Sequence, residues 1–192
     1  IRFNKNTKAE YNLIFIYEDK LSSLTKSVLS NTVLEDVKLA ISNKLVTGAS
    51  GSMNVFSSKM YEKNYFLVGL GQKSKLTIQT YEKNLNGALK KINGYNINNI
   101  SLDLNNIDIK GYDHIKAGII EIEKTQYSYK QKKSSSLKQC LLNVSSKISN
   151  KQLVTTINIS VAIANGLNKA RLLGDTPPNI CNPTFLAKEA KK

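Results

Sequence analysis

Short apolar runs alternate with segments of helical periodicity, and this alternation restricts the fold more than any other feature of the chain. Runs rich in β-branched and aromatic residues predict strands at 11–17, 53–56, 65–68, 100–104 and 137–144. Apolar positions repeated every three or four residues predict helices at 32–45, 77–92 and 113–123, and a shorter one near 21–29. This order is typical of an α/β domain with a mixed, mainly parallel sheet and helices on both faces.

The helical segments carry separate signals for their starts and for their buried faces. Thr32 followed by Glu35 fits a capping box, in which each side chain satisfies a free backbone amide of the first turn. The apolar face behind it is predicted at Leu34, Val37, Ile41 and Leu45. The buried faces of the next two helices are predicted at Ile78, Tyr81, Leu85, Leu89 and Ile92, and at Ile115, Ile119 and Ile122.

A long helix is predicted at 152–173, where Ser149 and Gln152 form a second capping box and Gly174 is a suitable left-handed end. Its inward stripe is predicted at Val154, Ile157, Val161 and Ala164. Three further apolar residues lie off that stripe, namely Ile159, Ile163 and Leu167. A helix that is apolar on more than one side usually packs between two bodies. We therefore expect a domain boundary near residue 150.

The chain is strongly basic, with 28 lysines and arginines against 14 aspartates and glutamates, and a net charge of +14. No acidic residue lies between Glu123 and Asp175. Candidate nucleic-acid contacts in this region are Lys124, Lys130, Lys132, Lys133 and Lys138. Tyr127 and Tyr129 either stack on bases there or cover an apolar edge with their hydroxyls in water. The basic face is equally explained as a solvated surface, or as one balanced by acidic residues elsewhere.

No catalytic centre can be assembled from the residues present. Gly69-Leu70-Gly71 follows a strand but lacks the third glycine of a dinucleotide-binding turn, so a tight structural turn explains it equally well. His114 is the only histidine, and we expect a partly exposed surface residue without metal partners. Glu121 and Glu123 are two apart on a helix and do not form a carboxylate pair.

Features that would direct the chain to a membrane or to secretion are not seen. No run approaches the ~20 apolar residues of a membrane span, and no signal-peptide pattern occurs. Cys140 and Cys181 lie in no pairing motif, so we expect reduced thiols in a cytoplasmic protein. Towards the end, Asn182 and Pro183 fit the cap and the first residue of a further helix.

The end of the chain carries a family resemblance. The stretch 164–173 (ANGLNKARLL) followed by 177–184 (PPNICNPT) resembles the linker region of the cytosolic leucyl aminopeptidases, with Asp175 where asparagine is common. Upstream, 65–71 (YFLVGLG) is similar to the strand and glycine turn of that family's amino-terminal domain. The stretch 127–130 (YSYK) resembles a tyrosine-containing segment before the last strand of the same domain.

The resemblance implies a macrodomain-like amino-terminal α/β domain at 1–150, a linker helix at 151–174, and the start of a truncated catalytic domain at 175–192. The family's catalytic domain holds two divalent metal ions, manganese, zinc or magnesium, and assembles into a homo-hexamer. It releases amino-terminal residues from peptides, preferably leucine, by attack of a metal-activated water. The family's metal-binding signature is absent from 1–192, so no catalytic residue or metal ligand is assigned. We expect 1–192 alone to be inactive.

Two alternatives from other functional classes remain. The basic region 124–171 would dock DNA, as the amino-terminal domain does in some bacterial members of the family, or the domain would be a structural module that supports assembly. A pocket for ADP-ribose is suggested by fold analogy alone.

Overall fold

A computed structural model describes residues 2–5, 9–23, 29, 31–58, 63–95, 97–105, 107, 109, 111–129, 137–144 and 148–191. The strands are β1 (Arg2–Lys5), β2 (Tyr11–Ile16), β3 (Met53–Ser58), β4 (Lys63–Gly69), β5 (Asn99–Asp103) and β6 (Gln139–Asn143). The helices are α1 (Asn31–Ser42), α2 (Ile78–Ile92), α3 (Asp113–Lys124), α4 (Asn150–Asp175) and α5 (Pro183–Ala190). Each of the five strands predicted from apolar runs is therefore confirmed.

The strands form one six-stranded sheet in the order β1-β6-β5-β2-β4-β3. All neighbouring strands are parallel except β3, which pairs antiparallel with β4. The mixed, mainly parallel sheet is thus confirmed. The edge strand β1 has no counterpart among the predicted strands, because Phe3 is its only apolar residue and two of its four residues are charged.

The central strands β2, β4, β5 and β6 are buried on both faces of the sheet, which explains their continuous apolar runs. Leu13 and Phe15 of β2 join a core with α2, α3 and the start of α4. Ile14 and Ile16, which alternate with them, join a second core with α1. Helices therefore lie on both faces of the sheet, as predicted.

The predicted start and end of the first helix are wrong. The helix begins at Asn31, which is earlier than the start predicted from Thr32. It ends at Ser42, because Lys44 takes a left-handed φ of 58° and turns the chain. Leu45 consequently lies outside the helix and is 69% exposed. A 3₁₀ helix at Glu18–Ser23 overlaps only the start of the short helix predicted near 21–29, and residues 24–28 lie outside the described residues.

The capping box of α4 is confirmed, but its predicted end is wrong. The Ser149 hydroxyl accepts from the Gln152 amide at 3.2 Å, and the Gln152 side chain accepts from the Ser149 amide at 3.2 Å. The helix continues through Gly174 to Asp175 and stops where Thr176 becomes extended, with ψ of 125°. Thr176 precedes Pro177, and the proline ring disfavours helical backbone at the residue before it. Among the described helices, none is long and apolar enough to cross a membrane.

The predicted inward stripe of α4 is confirmed at Ala164, and Ile157 and Val161 are partly buried against the core, but Val154 lies outside it. Val154 is 55% exposed, and the buried residues are Leu153, Thr156, Ser160 and Ala164. The two hydroxyls donate to carbonyls one turn earlier, Thr156 to Gln152 at 2.9 Å and Ser160 to Thr156 at 2.7 Å. Because these hydrogen bonds are internal to the helix, hydroxyl residues can lie against α3 without an unsatisfied polar atom. Apolar periodicity therefore places Ile157, Val161 and Ala164 on this face, but it misses Leu153 and the two hydroxyl residues.

Candidate functional site

The glycine turn after β4 is a closed structural element. The amides of Gly69, Leu70 and Gly71 donate to the carbonyls of Ser52, Ile16 and Gly48, each at 2.9 Å. A Cβ on Gly69 would lie 2.1 Å from the Ala49 carbonyl oxygen, and Gly71 has a φ of 78°. All three amides are used within the protein, so none is free to bind a phosphate. The geometry therefore supports a tight structural turn at residues 69–71 and not a dinucleotide-binding turn.

A cavity of about 330 Å³ opens at the carboxyl ends of β5 and β6, beside the first turn of α3. Its described lining residues are Leu104, Asn105, Ile107, Gly111, Tyr112, His114, Val144 and Ile148. We call it the His114 cavity. The carboxyl edge of a parallel sheet is where ligands of α/β proteins commonly bind.

His114 is buried, and the prediction of a partly exposed surface residue is wrong. The residue is 8% exposed, and its Nδ1 has no hydrogen-bond partner in the described part of the chain. Burial lowers the pKa of His114, and the charge of Asp113 and a hydrogen bond with the Ile109 backbone oppose this. The sequence gives no signal for the burial, because it depends on how the first turn of α3 docks on the end of the sheet.

A buried carboxylate lies next to this cavity. Asp103 accepts from the Asn105 amide at 3.0 Å and from the Asn143 side chain at 3.0 Å. Burial raises the pKa of Asp103, and these hydrogen bonds partly oppose the rise. No motif singled this residue out, since an aspartate at the end of an apolar strand is common. Its acceptor oxygens are already engaged by protein donors.

Of the candidate nucleic-acid contacts, the structure describes two. Lys124 forms an ion pair with the buried Glu121, which also accepts from Asn86 at 2.8 Å. Lys138 is exposed just before β6. The other three, Lys130, Lys132 and Lys133, lie outside the described residues. The described chain therefore brings no two of these lysines together as a free basic cluster.

Tyr127 connects the end of α3 to the end of α4. Its hydroxyl donates to the Asp175 carboxylate at 2.5 Å, so it contacts a protein acceptor and not only water. Desolvation, followed by this hydrogen bond, raises the pKa of Tyr127 to about 12. Asp175, noted above as a departure from the family pattern, thus has a structural contact.

The outer side of α4 carries an exposed apolar row. Ile159, Ile163 and Leu167 are spaced four residues apart, so they follow one line along the helix. They are 48%, 45% and 43% exposed, as expected for residues off the buried stripe. We call them the α4 apolar row. Lys169 of α4 forms an ion pair with Glu189 of α5, which holds the last helix against α4.

The start of α5 and the state of the cysteines agree with the predictions. The Asn182 side chain accepts from the Phe185 amide at 2.9 Å, and Pro183 is the first helical residue. Cys140 is buried, Cys181 is half-buried, and neither forms a disulfide. Among the described residues, no group of three or more His, Cys, Asp or Glu could hold a metal ion.

The fold is that of a mixed, mainly parallel α/β domain followed by a long helix, and comparison with known proteins identifies its family. The family model described as "Cytosol aminopeptidase family, N-terminal domain" matches residues 13–136. The chain belongs to the cytosol aminopeptidase family.

Curated relatives and solved structures agree with this assignment. A probable cytosol aminopeptidase of Buchnera aphidicola is 36% identical over 140 residues, which are 68% of this chain and 28% of the relative. The cytosol aminopeptidase of Haemophilus influenzae is 33% identical over 135 residues, 67% of this chain and 27% of the relative. The matched region thus spans little more than a quarter of these relatives.

Among solved structures, a mutant leucine aminopeptidase from tomato has a TM-score of 0.76 at 18% identity. The match covers 100% of this chain and 41% of the tomato chain. The bottromycin maturation enzyme BotP has a TM-score of 0.68 at 14% identity, covering 96% of this chain and 36% of that enzyme. These likenesses show the fold, and the tomato match extends over α4 and α5.

Proposed function

We propose that this chain is the amino-terminal, non-catalytic part of a cytoplasmic leucyl aminopeptidase. The observation that carries the proposal is the family match over residues 13–136. The likeness of the whole chain to the tomato enzyme supports it at the level of the fold. The parent protein would release amino-terminal residues, preferably leucine, from peptides.

The chemistry would belong to a two-metal site outside the residues described. Two divalent ions, manganese or zinc, would supply an activated water for attack on the peptide carbonyl. One related fold, BotP, has been solved in complex with manganese.

A leucine-p-nitroanilide assay with added manganese tests the proposal. The 192-residue chain should give no turnover, while a longer product of the same gene should be active. Removing metal from the longer protein with a chelator should abolish its activity. Turnover by the 192-residue chain would contradict the non-catalytic role, and a longer product without any peptidase activity would contradict the aminopeptidase assignment.

An assembly role is supported by the α4 apolar row. Exposed apolar residues at regular helical spacing suit a second packing partner, and the parent would assemble as a homo-hexamer. Sedimentation of the longer protein with Ile163→Glu measures this role. The variant should form smaller assemblies than the unchanged protein. An unchanged hexamer would show that the α4 apolar row is not part of the assembly interface.

DNA binding by the basic region 124–171 is a second proposal with less support. The acid-free stretch and the exposed Lys138 favour it, whereas the charge of Lys124 is neutralised by Glu121. Phosphate contacts release counterions, so binding should fall steeply between roughly 50 and 200 mM salt. A gel-shift assay at low salt with micromolar protein checks this, and the absence of any shift would contradict it.

A further inference from the structure

Helix α4 is attached to the domain in two different ways along its length. Its buried residues are Leu153, Thr156, Ser160 and Ala164, all in the first part of the helix. No residue of α4 from 165 to 175 is buried, and the described residues of α5 are not buried either. The last three turns of α4 and the whole of α5 therefore add no fully buried side chain to the domain. We call residues 165–190 the arm.

Polar contacts take the place of buried packing along the arm. Asn168 lies one turn beyond Ala164, and its Nδ2 donates to the backbone carbonyl of Glu123 at 3.1 Å. Asp175 lies seven residues further, which is two turns along the same side of the helix, and it accepts from the Tyr127 hydroxyl at 2.5 Å. Both partners lie at the end of α3 or directly after it. We call these two hydrogen bonds the arm latch.

The position of Asp175 indicates that its contact with Tyr127 has a tertiary role. The carboxyl end of a helix carries a partial negative charge, so an acidic side chain there is unfavourable for the helix itself. Asp175 is the last residue of α4. The Tyr127 hydroxyl supplies its carboxylate with a donor and thus offsets this local cost. The residue therefore stabilises the position of α4 on α3 and not the helix alone.

The helix is weakest where its burial ends. Asn165 and Gly166 directly follow Ala164, and both are poor helix formers. A Cβ added at Gly166 would meet nothing within 4 Å, and its φ is not positive, so neither a close approach nor the backbone conformation requires a glycine there. What the glycine does supply is backbone freedom in the middle of a helix. The chain can therefore bend at Gly166 when the arm latch is open.

We propose that the arm is a hinged segment that bends at Gly166, and that the arm latch fixes its direction relative to the sheet. The ion pair between Lys169 and Glu189 lies within the arm and joins its two helices, so α5 moves together with the end of α4. Opening the latch leaves the first part of α4 in place, because every buried residue of the helix precedes the hinge. The device does not depend on the parent protein being an aminopeptidase.

The distance between two spin labels on the 192-residue chain measures the direction of the arm. One label is attached to Cys181, which is half-buried in the turn between α4 and α5, and the other to Lys90→Cys on the exposed side of α2. Cys140 is fully buried and should stay unlabelled. The doubly labelled chain should give one narrow distance distribution. Tyr127→Phe removes only a hydroxyl, and it should raise the ratio of bent to latched molecules roughly three- to tenfold, the usual contribution of one hydrogen bond.

Three further variants separate the latch from the hinge. Tyr127→Phe combined with Asn168→Ala removes both hydrogen bonds and should broaden the distance distribution most. Adding Gly166→Ala to this double variant stiffens the helix at the hinge, so the distribution should become narrow again. The matched control is Tyr95→Phe, which removes a hydroxyl from a tyrosine that is 52% exposed and lies outside α3 and α4, and it should change nothing.

Four results would overturn the proposal. An unchanged narrow distribution in the double variant would show that the two hydrogen bonds do not hold the arm, and equal broadening by Tyr95→Phe would remove the special role of Tyr127. A broad distribution that Gly166→Ala does not narrow would place the movement outside the proposed hinge. Loss of helical circular dichroism in the double variant would mean that α4 unwinds and does not bend.

Discussion

Helices α2 and α4 have similar shares of apolar residues along their sequences, but α4 leaves more of them exposed to solvent. In α2, the predicted face is the buried face, with Tyr81 and Leu85 fully inaccessible. In α4, the fully inaccessible residues are Ser160 and Ala164, whereas Ile159 and Ile163 are about half exposed. Apolar periodicity therefore locates the buried face of α2 well and that of α4 only in part, because Thr156 and Ser160 are buried there beside the apolar residues.

The largest expected difference between the two helices comes from truncating a leucine in each. Leu85→Ala should lower the free energy of unfolding by about 2–5 kcal/mol, because it removes buried contacts and leaves a cavity. Leu167→Ala, at a position 43% exposed, should change it by no more than about 0.5 kcal/mol. Urea unfolding of the 192-residue chain measures both. Equal losses would mean that the α4 apolar row is covered within this chain.

Enlarging a side chain on α4 tests the small-residue face. Ala164→Leu should destabilise by about 1–3 kcal/mol, because Ala164 is fully buried and added volume must displace its neighbours. The matched control is Ala162→Leu on the exposed side of the same helix, which keeps the chemistry of the change. Thermal unfolding of the pair gives the comparison, and a neutral Ala164→Leu would show that α4 can shift away from α3.

The start of α4 should contribute less than its packing. Ser149→Ala removes the cap and should cost about 1 kcal/mol, since the Gln152 amide in the first turn loses the hydroxyl that accepts from it. Asn158→Ala, in the exposed middle of α4, is the control and should be neutral or slightly stabilising. Urea unfolding measures both, and an indistinguishable pair would mean that tertiary contacts alone hold the first turn.

The smallest expected effect is the pH dependence of stability that comes from His114, a polar residue whose burial the apolar pattern of α3 does not predict. Its folded pKa is lowered from the usual 6.5, so the unfolded chain binds the proton more readily. The free energy of unfolding should therefore be highest above about pH 6.5 and decrease as the pH falls towards the folded pKa. Unfolding at several pH values should show a shallower decrease for His114→Leu. Parallel curves would indicate that the ring is not desolvated.

The sequence predicts most of this fold because each central strand carries a short continuous apolar run and α2 carries one clear apolar face. The resemblance of residues 164–173 and 177–184 also identifies the family correctly. Three features depended on tertiary contacts that no local pattern contains. They are the pairing of β1 with β6, the burial of His114, and the hydroxyl-lined face of α4. Asp103 was missed for the same reason, since its environment comes from the neighbouring strand β6.

The α4 apolar row has a consequence for how copies of this chain behave in solution. A net charge of +14 pushes copies apart at long range, whereas the row attracts them at contact. Salt weakens only the first effect, because the screening length shrinks to about 10 Å at 0.1 M and to about 3 Å at 1 M. The chain should thus stay dispersed in dilute buffer and associate as ionic strength rises, which makes low salt the condition for handling it alone.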